Sequence, residues 1–280
     1  MLKKFITTSR YNKPHGILLL YYPCIWGMLL TNTNISDVVF LCIIFFVGAC
    51  GMRAAGCIWN DYNDRKFDKK VRRTRNRDIA SGKVKKKQII FFIIINLLLG
   101  SIPLFFFPKH SVLLSLCVIP LILAYPFMKR VTWWPQLWLG ISYNWGIIIG
   151  FSIINADVFR IEMLLFYLGC VFWTLSYDTV YGFQDIIDDK KIGVKSTSIK
   201  FQNSPKRFIT LCYLLTCILW LYSLIIIGTR IPFVFLIIIL FFIIIFKLLL
   251  INLRNIRECH NFFISNSFFG FLITIILIYS

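Results

Sequence analysis

Acidic residues are scarce: 12 Asp and Glu stand against 31 Lys and Arg in 280 residues, and only 15% of the chain is charged. With 58% hydrophobic residues and a mean hydropathy of +0.75, this composition excludes a soluble globular core, which could not hide so much apolar surface. None of the nine cysteines forms a C-x-x-C pair. Eight of them (Cys24, Cys42, Cys50, Cys57, Cys117, Cys170, Cys212 and Cys217) fall in apolar segments, which argues for packing and against a disulfide framework or zinc site. A Gly/Ser- or Pro-rich linker and a low-complexity tail are also missing, so residues 1–280 read as a single membrane-embedded domain. No small-residue cleavage pattern follows the basic N-terminal arm and the first apolar stretch, which is therefore expected to stay in the chain.

What is present is lipid-soluble helix. Apolar stretches at 17–30, 38–51, 89–107, 112–127, 137–154, 163–175, 208–227, 231–251 and 262–279 approach the roughly 20 residues that a spanning helix requires. The expected fold is all-α and polytopic, with nine transmembrane helices. The net charge of +19 could suggest nucleic-acid binding, but its distribution argues for membrane orientation. Basic residues crowd alternate loops: Lys3, Lys4, Arg10 and Lys13 in the arm, twelve over 65–87, Lys129 and Arg130, six over 190–207, and Arg254 and Arg257. The opposite loops hold only Lys109, Arg160 and Arg230. The N-terminus and the basic loops are thus expected in the cytoplasm and the C-terminus outside, as nine spans require.

Seven of the twelve acids lie in two short stretches on that same side. In N-D-Y-N-D-R-K-F-D over 60–68, offsets of three, four and seven put Asp61, Asp64 and Asp68 along one helical face, with Asn60 beside them. In D-T-V-Y-G-F-Q-D-I-I-D-D over 178–189, Asp178, Asp185 and Asp188 or Asp189 align similarly. Like charges so placed repel unless a cation sits among them, and oxygen-only ligands favour Mg²⁺ or Ca²⁺ over zinc. Basic residues follow each cluster, Arg72, Arg73, Arg75 and Arg77 after the first and Lys190, Lys191 and Lys195 after the second; Lys129 and Arg130 protrude from a third loop. A lipid carrying a diphosphate head at the interface would satisfy acids, cation and bases together. Most of the basic run over 72–87 reads more simply as a topology signal or an anionic-lipid contact. Arg53 lies within the second span, seven residues before Asn60 and on its face, and an intramembrane arginine requires an anion. That anion is either a structural partner or a carboxylate on a substrate.

These residues resemble the UbiA family of intramembrane aromatic prenyltransferases, and within it the 4-hydroxybenzoate polyprenyltransferases of ubiquinone synthesis. The likeness is carried by R-Y-N-K-P-H-G at 10–16, by R-A-A-G-C-I-W-N-D-Y-N-D-R-K-F-D-K-K-V-R-R-T-R-N-R-D-I-A-S-G at 53–82, by Y-P-F-M-K-R-V-T-W-W-P-Q at 125–136, and by Y-D-T-V-Y-G-F-Q-D-I-I-D-D-K-K-I-G-V-K-S-T at 177–197. It implies a helical bundle around a central cavity in a bacterial inner membrane, capped by the two acidic motifs. It also implies transfer of a polyprenyl group from polyprenyl diphosphate to the carbon of 4-hydroxybenzoate meta to its carboxylate, with Mg²⁺ as cofactor and no protein partner. By motif position, Asn60, Asp64, Asp185 and Asp189 look like the metal and diphosphate core, with Asp61, Asp68 and Asp188 in support. Arg53 looks like the carboxylate-binding arginine, and Asp178 like the acid near the phenol. Tyr125, Lys129 and Arg130 resemble diphosphate-loop residues, with Arg72, Tyr181 and Lys195 as further substrate contacts. Asn12, Asp78 and Gln202 depart from the family's pattern, and Asp78 bears on the turn of the loop after the first motif. Haem farnesylation, transfer to a menaquinone-type acid and transport of an anionic solute remain the rival readings.

Overall fold

Lipid offers no hydrogen-bond partners, so a chain this apolar satisfies its backbone inside helices. The computed structural model describes every residue but Asn32, and every side chain but those of Asn32, Ile35 and Asp37. Among the described residues it holds helices and no strand. They are α1 (Leu2–Thr8), α2 (His15–Leu29), α3 (Ile35–Asp68), α4 (Lys86–Ser101, continued by a 3-10 turn at Ile102–Phe106), α5 (Lys109–Cys117), α6 (Ile119–Val131), α7 (Pro135–Tyr143) and α8 (Gly146–Ile154). Then come α9 (Ile161–Gly182), α10 (Ile186–Lys191), α11 (Thr197–Lys200), α12 (Pro205–Ile226), α13 (Ile231–Leu250) and α14 (Ile256–Tyr279).

Among the described residues, eight stretches are long and apolar enough to cross a membrane: α3, α4 with its 3-10 turn, α5 with α6, α7 with α8, α9, α12, α13 and α14. The ninth, α2, has 15 residues and buries eleven of them, so it runs through the bundle with little lipid contact. The chain is an integral membrane protein whose nine apolar segments are those the sequence predicts. Large apolar side chains such as Phe235, Phe242, Phe246 and Leu250 face outward on α13, which only lipid tolerates over such an area.

Two spans are built of half-helices. Pro120 sits at the joint between α5 and α6, and Asn144 at the joint between α7 and α8. A broken span frees backbone groups that protein must satisfy. Asn144 ties its break to α9, with Nδ2 donating to the Gly140 and Cys170 carbonyls at 2.8 and 3.1 Å and to Thr174 Oγ1 at 2.8 Å.

Between α2, α9, α12 and α14 lies an aromatic core in which the Phe166 and Trp220 rings stack at 4.7 Å. Each buried indole finds an acceptor: Trp26 Nε1 donates to Thr274 Oγ1, Trp173 Nε1 to Asn266 Oδ1, and Trp220 Nε1 to the Phe166 carbonyl. Unpaired, those N–H groups would each cost about 1–3 kcal/mol. Close approach of α2 and α8 needs glycine, because a Cβ on Gly150 would stand 2.0 Å from the Cys24 carbonyl and one on Gly27 2.2 Å from that of Ile147. Gly150→Ala should therefore lower thermal stability in detergent by at least about 1–3 kcal/mol, as overpacking does. Gly56→Ala, whose Cβ meets nothing within 4 Å, should not lower it.

Candidate active site

The 34 residues of α3 span roughly 51 Å at 1.5 Å each, well beyond the roughly 30 Å of a hydrocarbon core. Its last turns therefore stand clear of lipid, and they carry Asn60, Asp61, Asp64 and Asp68. α9 brings Asp178 to the same end of the bundle. Beyond a turn at 183–185, α10 presents Asp188 and Asp189, and Gly193, at φ +73°, ends that excursion. Backbone bonding of Lys195 N to the Lys129 carbonyl (2.9 Å) ties it to the end of α6.

The two acidic motifs line one cavity of about 170 Å³, with Asn60, Asp64 and Asp68 from α3 facing Asp178, Asp185 and Asp189, and with Tyr125, Lys129 and Lys195 between them. Arg73, in the loop that follows α3, spans the two motifs: its guanidinium donates to both oxygens of Asp185 (2.8 and 2.5 Å) and to Tyr181 Oη (3.0 Å). Lys129 Nζ lies 2.5 Å from Asp64 Oδ2, while the buried Asp64 Oδ1 has no hydrogen-bond partner and only Arg130 Nη2 at 3.7 Å. Burial, and then the charge of Asp185, push the carboxyl of Asp189 up to about 7.

A second cavity, of about 260 Å³, adjoins the first and shares Asn60, Arg77, Tyr125 and Asp178 with it. Arg53 lines it together with Trp59, Tyr143 and Tyr181. The Arg53 guanidinium lies 5.4 Å from the centre of the Tyr143 ring and packs on Gly16, where a Cβ would stand 2.8 Å from its Nε. The Tyr143 hydroxyl donates to the Gly16 carbonyl and so fixes that wall. Arg53 makes no ion pair or hydrogen bond among the described residues. Asp178 lines the same cavity without pairing to it, so the guanidinium at membrane depth is a candidate site for an anion.

Four expected site residues lie elsewhere. Asp61 turns from the diphosphate-sized cavity toward the N-terminal arm, where Arg10 (2.5 Å) and Arg77 (3.0 Å) hold it; Arg77 also reaches Asp68 at 3.1 Å. Asp188 accepts from the backbone N of Arg72 (2.9 Å), and both residues line a separate cleft of about 1160 Å³. Arg130 stays at the rim, donating to the Asn63 carbonyl (3.1 Å). Sequence reasoning named Arg73 and Arg77 only among the bases after the first motif, singling out Arg72 instead, and gave Arg10 and Tyr143 no site role. Arg73 and Arg77 sit in a loop, where no periodicity selects one arginine from its neighbours. Of the departures, Asp78 accepts from Thr7 Oγ1 (2.5 Å), binding the loop to α1, and Gln202 accepts from Lys190.

Among the described residues no three His, Cys, Asp or Glu side chains form a metal cage by themselves. Mg²⁺ is commonly held by one or two carboxylates and completed by substrate phosphates, and each of the two motifs facing this cavity has such carboxylates to offer. The oxygen-only donors and the orphaned Asp64 Oδ1 fit it too.

A family model described as the UbiA prenyltransferase family matches residues 20–273. The chain is 34% identical to 4-hydroxybenzoate geranyltransferase 1 of Lithospermum erythrorhizon, over 97% of this chain and 88% of that one. It is 38% identical to 4-hydroxybenzoate octaprenyltransferase of Blochmanniella floridana, over 99% and 97%. Its fold is similar to that of a UbiA homolog from Aeropyrum pernix K1 (TM-score 0.72, 20% identity, 94% and 95% covered). It is also similar to that of a UbiA homolog from Archaeoglobus fulgidus bound to GPP and Mg²⁺ (TM-score 0.64, 18% identity, 99% and 100% covered).

Proposed function

The chain belongs to the UbiA prenyltransferase family, and from that premise we propose that it is a 4-hydroxybenzoate polyprenyltransferase acting in ubiquinone biosynthesis. One observation carries the reading: a cavity walled by both acidic motifs and Lys129 opens, across Asn60, Tyr125 and Asp178, onto a second that holds an unpartnered Arg53. A diphosphate suits the first and an aromatic carboxylate the second, so the reacting carbons meet between them. The basic loops and the arm share one end of the bundle while Ser280 ends α14 at the other, which supports a cytoplasmic site in a bacterial inner membrane. Residues 1–280 act as one domain in this reading.

Asn60, Asp64, Asp68, Asp185 and Asp189 would hold Mg²⁺. When bound, Mg²⁺ supplies positive charge to the diphosphate as the allylic carbon–oxygen bond breaks and pyrophosphate leaves. Lys129 and Lys195 add charge on the same leaving oxygens, and Arg73 can exchange Asp185 for phosphate. The apolar helices around the cavity keep water from the allylic cation. Arg53 pins the carboxylate so that the carbon meta to it, ortho to the phenol, faces the cation. Asp178 accepts a hydrogen bond from the phenol and so raises the ring's electron density. The new carbon–carbon bond forms there, and loss of the ring proton restores aromaticity.

The experiment is direct. Purified protein in lipid nanodiscs, given 4-hydroxybenzoate, a polyprenyl diphosphate and Mg²⁺, should yield the prenylated acid by mass spectrometry; no product under these conditions refutes the assignment. Metal binding requires deprotonated carboxylates, and Asp189 holds its proton up to about 7. The Mg²⁺ concentration for half-maximal activity should therefore rise as pH falls below 7, by up to about tenfold per unit, and hold steady above pH 8. Asp189→Asn should flatten that dependence in a Mg²⁺ titration at pH 6 and 8.

A further inference from the structure

Resting on that reading, the two substrates pose a transport problem that the cavities answer. A polyprenyl diphosphate brings its tail through lipid, whereas the aromatic acid is a water-soluble anion that must reach Arg53 below the diphosphate. A third cavity, of about 640 Å³, lies between the N-terminal arm, the loop after α3 and the start of α14. It shares Arg10, Arg77 and Tyr181 with the Arg53 cavity, so these side chains are the partition between the two; Arg73 and Arg77 also wall it off from the cavity of the acidic motifs.

The partition is built of breakable parts. Asp61 joins Arg10 and Arg77 at 2.5 and 3.0 Å, and the Tyr181 hydroxyl accepts from Arg73. Arg10 has φ +58°, a left-handed conformation that a side-chain-bearing residue keeps only when its surroundings impose it. The surroundings are visible: Ser9 Oγ accepts from Asn96 Nδ2 (3.0 Å) and Tyr11 Oη donates to Asn96 Oδ1 (2.6 Å), clamping the arm to α4 on both sides of Arg10. Of the acids in the outer cavity, Asp61 is ion-paired and the Asp78 carboxylate accepts from the Thr7 and Thr8 hydroxyls; against these two stand Arg10, Lys13, Arg73, Arg77 and Arg257, of which the exposed Lys13 and Arg257 have no ion pair among the described residues. The outer cavity therefore presents net positive charge to an approaching anion.

We infer that the aromatic acid reaches Arg53 through this basic vestibule, passing an Arg10–Asp61–Arg77 latch, by a route separate from that of the prenyl donor. An incoming carboxylate can replace Asp61 on Arg10 and Arg77, opening the latch as it passes and leaving it to reform behind.

An access route sets rates of binding and release, whereas the final site sets affinity, so the test is kinetic. Trp59 lines the Arg53 cavity and offers a fluorescence signal. Stopped-flow mixing of 4-hydroxybenzoate with the full-length protein in nanodiscs should show association slowed about tenfold or more in Lys13→Glu/Arg257→Glu, by loss of steering. The equilibrium Kd should change less than about threefold, and kcat at saturating acid should hold. The same charge reversal in the 1160 Å³ cleft, Arg207→Glu/Arg254→Glu, should leave association unchanged. Unaltered association in the vestibule variant, or equal slowing by both pairs, overturns the route. Absence of any acid-dependent signal in the unaltered protein instead strikes down the acceptor assignment beneath it.

Discussion

In membranes supplied with Mg²⁺ and both substrates, Asp64→Ala is expected to lose at least about 10³-fold in kcat, whereas Asp61→Asn loses about tenfold or less. The two residues lie one helical turn apart in a single motif, so sequence alone gives them similar weight. Their surroundings separate them. Asp64 faces the cavity with one buried oxygen unbonded and the other on Lys129, a pairing that a metal and a diphosphate can take over. Asp61 is turned to Arg10 and Arg77, away from that cavity, and its loss loosens an arm contact without removing a ligand. Asp185→Ala should match Asp64→Ala in kcat and add a second defect, since it also releases Arg73 from the bridge between the motifs. Single-turnover assays with detergent-stable protein read both effects. Turnover by Asp64→Ala within tenfold of the unaltered protein would remove the metal from the mechanism.

The nine apolar segments were legible because hydropathy reports the solvent around a helix. The ends of the two helices that matter most were not. The second apolar stretch fades after residue 51, where Arg53 and then Asn60 interrupt it, yet α3 runs on to Asp68 because backbone bonding continues regardless of side-chain polarity. The sixth stretch fades after 175 in the same way, while α9 reaches Gly182. Breaks inside apolar runs were invisible for the opposite reason: nothing in hydropathy marks Asn144 as a joint, and its role depends on acceptors 26 and 30 residues away. At the site, helical spacing predicted one face for Asp61, Asp64 and Asp68 with Asn60 beside them; Asn60, Asp64 and Asp68 do line one cavity, but Asp61 turns instead to Arg10 and Arg77, whose positions helical spacing cannot reveal. Spacing could not choose between Arg72 and Arg73. In the loop after α3 the backbone of Arg72 meets Asp188, while the side chain of Arg73 meets Asp185, and only tertiary placement decides that.

Arg53→Gln should raise KM for 4-hydroxybenzoate by about 30-fold or more, from the roughly 2–5 kcal/mol lost when one partner of a buried charge pair is truncated. KM for the prenyl diphosphate should stay within about twofold, because that substrate's charges fall to Lys129, Lys195 and Arg73. Stability distinguishes this role from a structural one. Removing one side of a buried structural ion pair costs about 3–5 kcal/mol, since the other charge is stranded. Arg53 has no such partner among the described residues; it sits on Gly16 and beside the Tyr143 ring, at a depth where a charge is itself unfavourable by a few kcal/mol. Arg53→Gln should therefore leave thermal stability unchanged or raise it in the absence of substrate. Added 4-hydroxybenzoate should stabilise the unaltered protein and fail to stabilise the variant, which a pair of melting curves reveals. A variant that unfolds, with KM for the acid unmoved in whatever fraction survives, would make Arg53 a structural residue and leave the carboxylate without a seat.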